Sequence, residues 1–306
     1  MSHKKAAILS RSMEIDIAID LAGFTINART EIFALKAAPI QISYIGYLGT
    51  MGASYYDYIV SDKTLGTEKN KKFFLEKMVF LPCYQVNEPY SVPPKALFKR
   101  EDLGLPNEGF IFCCFNNVYK NQPKTFDSWC RILEKVEDSV LVVYANSDTT
   151  IKNLKIEISS RGISKNRLFT GGQLARQEYF ARFLVADLFL DTYPFNAGTT
   201  ASDALRAGLP ILTSIGSSFN SREAASILTA LDMSELIASS QDQYELIAVE
   251  LAKDSEKLKA IKDKLIKNLS TSPLYNTALF TRNIESAFLK MYDRSQRRLD
   301  PEHIYV

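Results

Sequence analysis

From residue 109 to 233 the chain alternates short apolar runs with amphipathic stretches, and no other feature constrains its fold as tightly. The runs GFIFCCF, SVLVVYA, RLFTG, ADLFLD and PILTS have strand length and composition. KTFDSWCRILEKVE, KNLKIEISSRGI, LARQEYFARFL, SDALRAG and SREAASILTALDM lie between and after them with apolar residues at helical spacing. Strands that alternate with helices in this way pair in parallel, because each crossover must return the chain to the same edge of the sheet. A parallel α/β domain is therefore predicted for this half.

The first hundred residues are less regular. MEIDIAIDLAG predicts a strand ending at Gly23, NARTEIFALKA a helix, QISYIGYLGT and DYIVSD two more strands, and FFLEKMVFLP a segment leading to the loop CYQVNEPYSVPP. About three strands before that loop are fewer than a typical sheet holds, so this domain reads as incomplete. The expected division is a partial N-terminal Rossmann-like domain over 1–95 and a C-terminal one over 96–275, then a final helix and tail over 276–306. The C-terminal part carries long amphipathic helices, YELIAVELAKDSEKLKAIKDKLIKN and TALFTRNIESAFLKMYDRSQRR.

Composition excludes several classes. A net charge of +2 gives no basic face for a nucleic-acid backbone, so no nucleic-acid partner is expected. The four cysteines lack CxxC spacing, and the two histidines, His3 and His303, stand at opposite ends, so no metal site is expected. Cys113 and Cys114 read as small buried hydrophobes. Unpaired thiols and the lack of a membrane-length apolar run or secretory leader point to the cytoplasm, with no membrane partner.

Three loops carry candidate chemistry, each at the carboxyl end of a predicted strand, where open parallel sheets bind ligands. In DTYPFNAGTT, with Asn196 and Gly198, the glycine lets backbone approach a ligand and Thr199 or Thr200 can cap the next helix, whose N-terminus favours phosphate. The same stretch also reads as a plain, well-capped turn. Asp203 suits either the helix dipole or a ribose hydroxyl. In FCCFNNVYKNQP, Lys120, near Asn117, is placed to neutralise a departing diphosphate, although a lone lysine usually belongs to the surface. In RLFTGGQLARQEYFARF, Arg176, Tyr179 and Arg182 either frame a base and ribose or divide between core and solvent.

The segments APIQISYIGYLGTMGASYYDYIVSD, FNNVYKNQP, DLFLDTYPFNAGTTASDALRAGLPILT and SREAAS, in this order and at matching intervals, resemble the catalytic region of the O-GlcNAc transferase family, including its bacterial members and the plant SPINDLY proteins. The match runs from about Asp20 to the final helix. It implies a GT-B glycosyltransferase that transfers a sugar from a nucleotide-sugar to Ser or Thr hydroxyls of proteins, inverting and without a metal or other cofactor. Carried over by position, Lys120 contacts the donor diphosphate, Asn117 takes the place of a neighbouring polar residue, Thr199 and Thr200 hold the phosphates, Asp203 lies near the ribose, and Arg176, Tyr179 and Arg182 frame the nucleoside. The familiar donor is UDP-GlcNAc, whereas the SPINDLY branch uses GDP-fucose. Three departures bear on the donor: Gly198 stands where many members have histidine, Tyr179 where the animal enzymes have histidine, and Leu48 where proline is usual.

Family members also carry tetratricopeptide repeats and an early catalytic segment that supplies a histidine near the acceptor. Neither is visible here, and His3 is a poor substitute. Asp20 and Asp57 are the candidate bases. A truncated, inactive nucleotide-sugar-binding module and a GT-B enzyme acting on small acceptors are the alternatives.

Overall fold

The computed structural model describes residues 1–87 and 97–306. The expected domain boundary between residues 95 and 96, and the end of the loop preceding it, lie outside the described residues. By its internal contacts the chain divides into two compact units, Met1–Asn87 with Pro273–Val306, and Glu88–Ser272.

The first unit opens with a helix absent from the sequence reading, α1 (His3–Ser12), whose Ser2 hydroxyl caps the Lys5 N–H at 3.3 Å. Then come β1 (Ile17–Asp20), a single turn α2 (Glu31–Ala34), β2 (Ile40–Ser43), β3 (Tyr58–Ser61) and β4 (Lys77–Phe80). β1, β2 and β3 are four-residue pieces of the longer runs predicted, and β4 is a fourth strand within the segment read only as leading to the loop. The helix expected over NARTEIFALKA is reduced to α2.

The second unit follows the predicted alternation closely: β5 (Phe110–Cys114), α3 (Pro123–Lys135), β6 (Ser139–Tyr144), α4 (Asp148–Ser160), β7 (Leu168–Gly171), α5 (Arg176–Ala181), β8 (Leu188–Leu190), α6 (Thr199–Arg206), β9 (Ile211–Ser214) and α7 (Glu223–Ala230). A two-residue strand, β10 (Ile237–Ala238), precedes α8 (Gln241–Lys253) and α9 (Ser255–Leu269). The sheet order is β10-β9-β8-β5-β6-β7 and every pairing is parallel. Read from the far edge, this order places the first three strands on one side and the next three on the other, so the winding reverses between β5 and β8. A doubly wound sheet opens a crevice at that point, between the loops leaving the two central strands. The central strands are apolar on both faces, as sheets covered by helices on both sides require; Ile111, Phe112, Cys113, Leu188 and Phe189 are all fully buried.

The chain then returns to the first unit through α10 (Thr277–Gln296) and β11 (Ile304–Tyr305). β11 pairs in parallel with β4, completing a five-stranded sheet of order β1-β2-β3-β4-β11. The final helix and tail, read from sequence as a separate region, are thus part of the first unit. Ala287 and Met291 of α10 are buried with Ile40, Ile42, Tyr58, Val60, Val79 and Ile304, and Phe280, Ile284 and Phe288 pack on that cluster. Their spacing along α10 is that of one helical face. The two sheets of parallel strands make this a GT-B-type α/β fold.

Candidate functional site

The loop after β5 and the loop after β8 meet at the reversal point of the second sheet. One buried carboxylate ties them together. Asp191, the residue following β8, is 2 % exposed. Its Oδ1 accepts from the backbone N–H of Thr192 and of Ala197, each at 2.8 Å, and from Asn116 Nδ2 at 3.0 Å. Its Oδ2 accepts from the Thr213 hydroxyl at 2.7 Å. Burial pushes the Asp191 carboxyl up to about 6, against the pull of the Thr213, Ala197 and Thr192 donors and of the Lys120 charge. From below, the Tyr244 hydroxyl donates to the Asp191 carbonyl at 3.0 Å and itself accepts from Trp129 Nε1 at 3.1 Å. An acidic residue closing an all-apolar strand was the sequence signal for this anchor, and the reading passed over it.

The β8–α6 loop is further closed upon itself. The Thr192 hydroxyl donates to the Phe195 carbonyl at 2.6 Å, and Asn196 Nδ2 to the Thr192 carbonyl at 2.8 Å. The peptide bond before Pro194 is cis, and Thr125 of α3 donates to the Tyr193 carbonyl at 2.8 Å. Asn116 and Asn196 are buried, and the Oδ1 of each has no partner among the described residues.

Into this frame reaches Lys120, at the end of the short 3-10 turn that Asn117 caps. Its Nζ donates to the Asn196 carbonyl at 2.7 Å and lies 3.8 Å from the centroid of the Phe195 ring. Its pKa is lowered by burial, opposed by the charges of Glu223 and Asp191. The surface reading of this lysine is therefore wrong. Lys120 is a half-buried cation held against the loop that leads into α6.

α6 begins differently from expectation. Gly198 is its N-cap, without a side-chain cap, and Thr199 and Thr200 are the first two helical residues. The threonines thus present the free N–H groups of the first turn instead of capping them. Thr199 is exposed and Thr200 half-buried. The helix stops where RAGLP predicts, with Gly208 in the left-handed region at φ +82°.

The third group divides. The Tyr179 hydroxyl donates to Asp203 Oδ2 at 2.9 Å, linking α5 to α6, and burial raises the pKa of both groups. Arg182 is 5 % exposed, its guanidinium 4.1 Å from the Phe115 ring centroid and 4.5 Å from that of Tyr179, and burial lowers its pKa. Arg176 is exposed. Tyr179, Asp203 and Arg182 therefore form a cluster beside the α6 N-terminal turns, and Arg176 lies at its exposed edge, over the Phe180 ring and with its charge reaching Asp203.

The residues Asn117, Lys120, Asn196, Gly198, Thr199, Thr200 and Asp203 all belong to the second unit and lie in the loops after β5 and β8 and in α6, where Lys120 is joined to the Asn196 carbonyl. Parallel strands, a helix N-terminus and a lysine brought to it are what an anionic diphosphate requires. The family description glycosyl transferase family 41 matches residues 1–87 and 85–284. The chain belongs to glycosyl transferase family 41.

Among its relatives is the Arabidopsis thaliana protein named "Probable UDP-N-acetylglucosamine--peptide N-acetylglucosaminyltransferase SEC", 34 % identical over 313 residues that cover 100 % of this chain and 32 % of the relative. A Hordeum vulgare SPINDLY protein is 30 % identical, over 96 % of this chain and 31 % of its own length. The chain thus spans about a third of the length of these curated relatives. A solved Thermobaculum terrenum O-GlcNAc transferase superposes with a TM-score of 0.90 at 26 % identity, covering 97 % of this chain and 57 % of that one. A Thermosynechococcus elongatus sucrose-phosphate synthase shares the fold at 11 % identity and a TM-score of 0.64, covering 95 % of this chain and 79 % of its own.

The two candidate bases lie in the first unit and have structural duties. Asp20 closes β1 with Oδ1 accepting from the N–H groups of Ala22 and Gly23, each at 3.0 Å, and Oδ2 from the Tyr56 hydroxyl. Asp57 precedes β3, at the amino end of the strand and so at the edge opposite to that where parallel sheets bind ligands. There its Oδ2 accepts from the Gln41 N–H at 2.8 Å, with Lys36 Nζ at 3.7 Å. His3 pairs with Glu31 at 3.3 Å, and His303 Nδ1 accepts from the Met78 N–H at 2.9 Å. All four cysteines are free and buried. Among the described residues no helix is long and apolar enough to cross a membrane.

Proposed function

We propose that this chain is the donor-binding part of a protein O-GlcNAc transferase, which moves N-acetylglucosamine from a uridine diphosphate sugar to Ser or Thr hydroxyls of proteins. The observation that carries this reading is Lys120, donating at 2.7 Å to the loop that opens α6, at the winding reversal of a doubly wound sheet. The relatives' printed names, SEC and SPINDLY alike, supply the donor sugar and the peptide acceptor.

In the reaction the acceptor hydroxyl oxygen attacks the anomeric carbon as the bond to the diphosphate oxygen breaks, inverting that carbon. The bonding pair leaves with the diphosphate, and the hydroxyl proton passes to solvent water. Lys120 and the first N–H groups of α6 meet the charge that develops on the leaving group, the interaction expected to dominate such a step, and no metal is needed for it. Asp203, held by Tyr179, faces the ribose side. Arg182 stiffens the segment beside the nucleoside by stacking on Phe115 and Tyr179.

Calorimetric titration with UDP, GDP, UDP-GlcNAc and GDP-fucose tests the reading. Selective binding of the uridine pair, with Lys120→Ala weakening it about ten- to a hundredfold, is the expected result. Selective binding of the guanosine pair would move the assignment to a fucosyl donor, and donor binding without transfer to any protein acceptor would make the chain a binding module.

A further inference from the structure

Glu223 opens α7 and is 7 % exposed. Its carboxylate lies directly against Gly198, so that a Cβ built on that glycine would stand 1.9 Å from Oε1 and 2.5 Å from Cδ. Gly198 is the N-cap of α6, two residues past the carbonyl that receives Lys120. The Glu223 charge also reaches Lys120, raising its pKa against the effect of burial. A carboxylate therefore lies beside the N-terminus of α6 and within reach of the Lys120 charge, the two groups that attract anions here. A side chain at position 198 would displace the Glu223 carboxylate.

A negative charge in such a place acts unequally on ligands of unequal charge. A nucleotide sugar is a diphosphate diester, whereas the free nucleoside diphosphate left after transfer ends in a phosphate monoester that loses a second proton at about pH 6. At neutral pH the product thus carries one more negative charge than the donor, on its terminal phosphate.

We propose that Glu223 is a specificity-determining residue that disfavours the free nucleoside diphosphate relative to the nucleotide sugar, and so promotes product release. The inference rests on the donor-site reading above. In the resting site the carboxylate balances Lys120. With a diester bound the two share the field of α6, and with a terminal phosphate bound the extra charge faces Glu223 directly.

The test measures dissociation constants for UDP and UDP-GlcNAc at pH 7.5 in the full chain and in Glu223→Gln, which keeps shape and removes charge, with thermal unfolding as a folding control. The expected result is a tightening of UDP about threefold or more beyond any change in UDP-GlcNAc. Gly198→Ala, whose methyl displaces the carboxylate, should move the ratio in the same direction and covers the case in which Glu223→Gln folds poorly. A parent that binds both nucleotides, with a UDP to UDP-GlcNAc ratio unchanged in both variants, would overturn the role of Glu223 while leaving the donor site in place. A parent that binds neither would overturn the donor-site reading and this inference with it.

Discussion

At the residue scale the site is organised by one acid and one base. Asp191 accepts four hydrogen bonds through two oxygens, and these bonds hold the loops after β5 and β8 in register. Asp191→Asn replaces an acceptor oxygen by an amide that donates toward donors already in place. It should cost about 2–4 kcal/mol, read by chemical unfolding, because buried donors lose their partners. Lys120 has the opposite requirement, since only its protonated form attracts a diphosphate. Burial lowers its pKa, so it loses the proton below the ordinary lysine range of about 10.4. UDP affinity should therefore hold at neutral pH and fall as pH rises through that lowered value, whereas Lys120→Arg, if it binds, should lose the alkaline limb. The sign for stability is the reverse: between the two lysine values the unfolded chain binds more protons, so the contribution of Lys120 to stability rises with pH there. Titration and unfolding series from pH 7 to 10.5 check both. Lys120, Asn196, Thr199, Thr200 and Asp203 were readable as candidates because each sits at a strand's carboxyl end or a helix start. Asp191 left a local signal, an acid closing an apolar strand, but its ties to Asn116 and Thr213 are long-range. Glu223 left none, because it acts through its contact with Gly198 on another loop.

At the element scale, what could be read depended on burial. Strands β5, β6, β8 and β9 and helices α3 and α7 carry a strong apolar signal and were recognised with small shifts at their ends, whereas α4, in which Ile158 alone is buried, starts at Asp148 and was read from Lys152. α1, β10 and β11 were missed for physical reasons. The first is polar and held by an N-cap, and the other two are two-residue strands ordered by pairing with β9 and β4. α2 was over-extended, because a favourable helical composition does not outweigh the turn that follows at Lys36, φ +52°. α10 was seen as a helix, yet its placement was not: its apolar face belongs to the first sheet although more than 180 residues separate it from β4. Met291→Ala on that face should destabilise the first unit by about 2–4 kcal/mol, the cost of a buried cavity, and calorimetric unfolding should show the loss in the transition of that unit.

At the scale of the whole molecule, the strand order of the second sheet is what converts separate loops into a site. The sequence shows the loops and their strands, but only the pairing β8-β5 places the lysine of one beside the helix start of the other. Membership of glycosyl transferase family 41 and a TM-score of 0.90 to an O-GlcNAc transferase give that arrangement its chemical setting. The measurement that bears most directly on the central claim is a paired calorimetric titration of the chain and of Lys120→Ala with UDP, at pH 7.5 and with matched unfolding midpoints. The account predicts saturable binding by the parent and a loss of about ten- to a hundredfold in the variant. Equal affinity in the two proteins would contradict it.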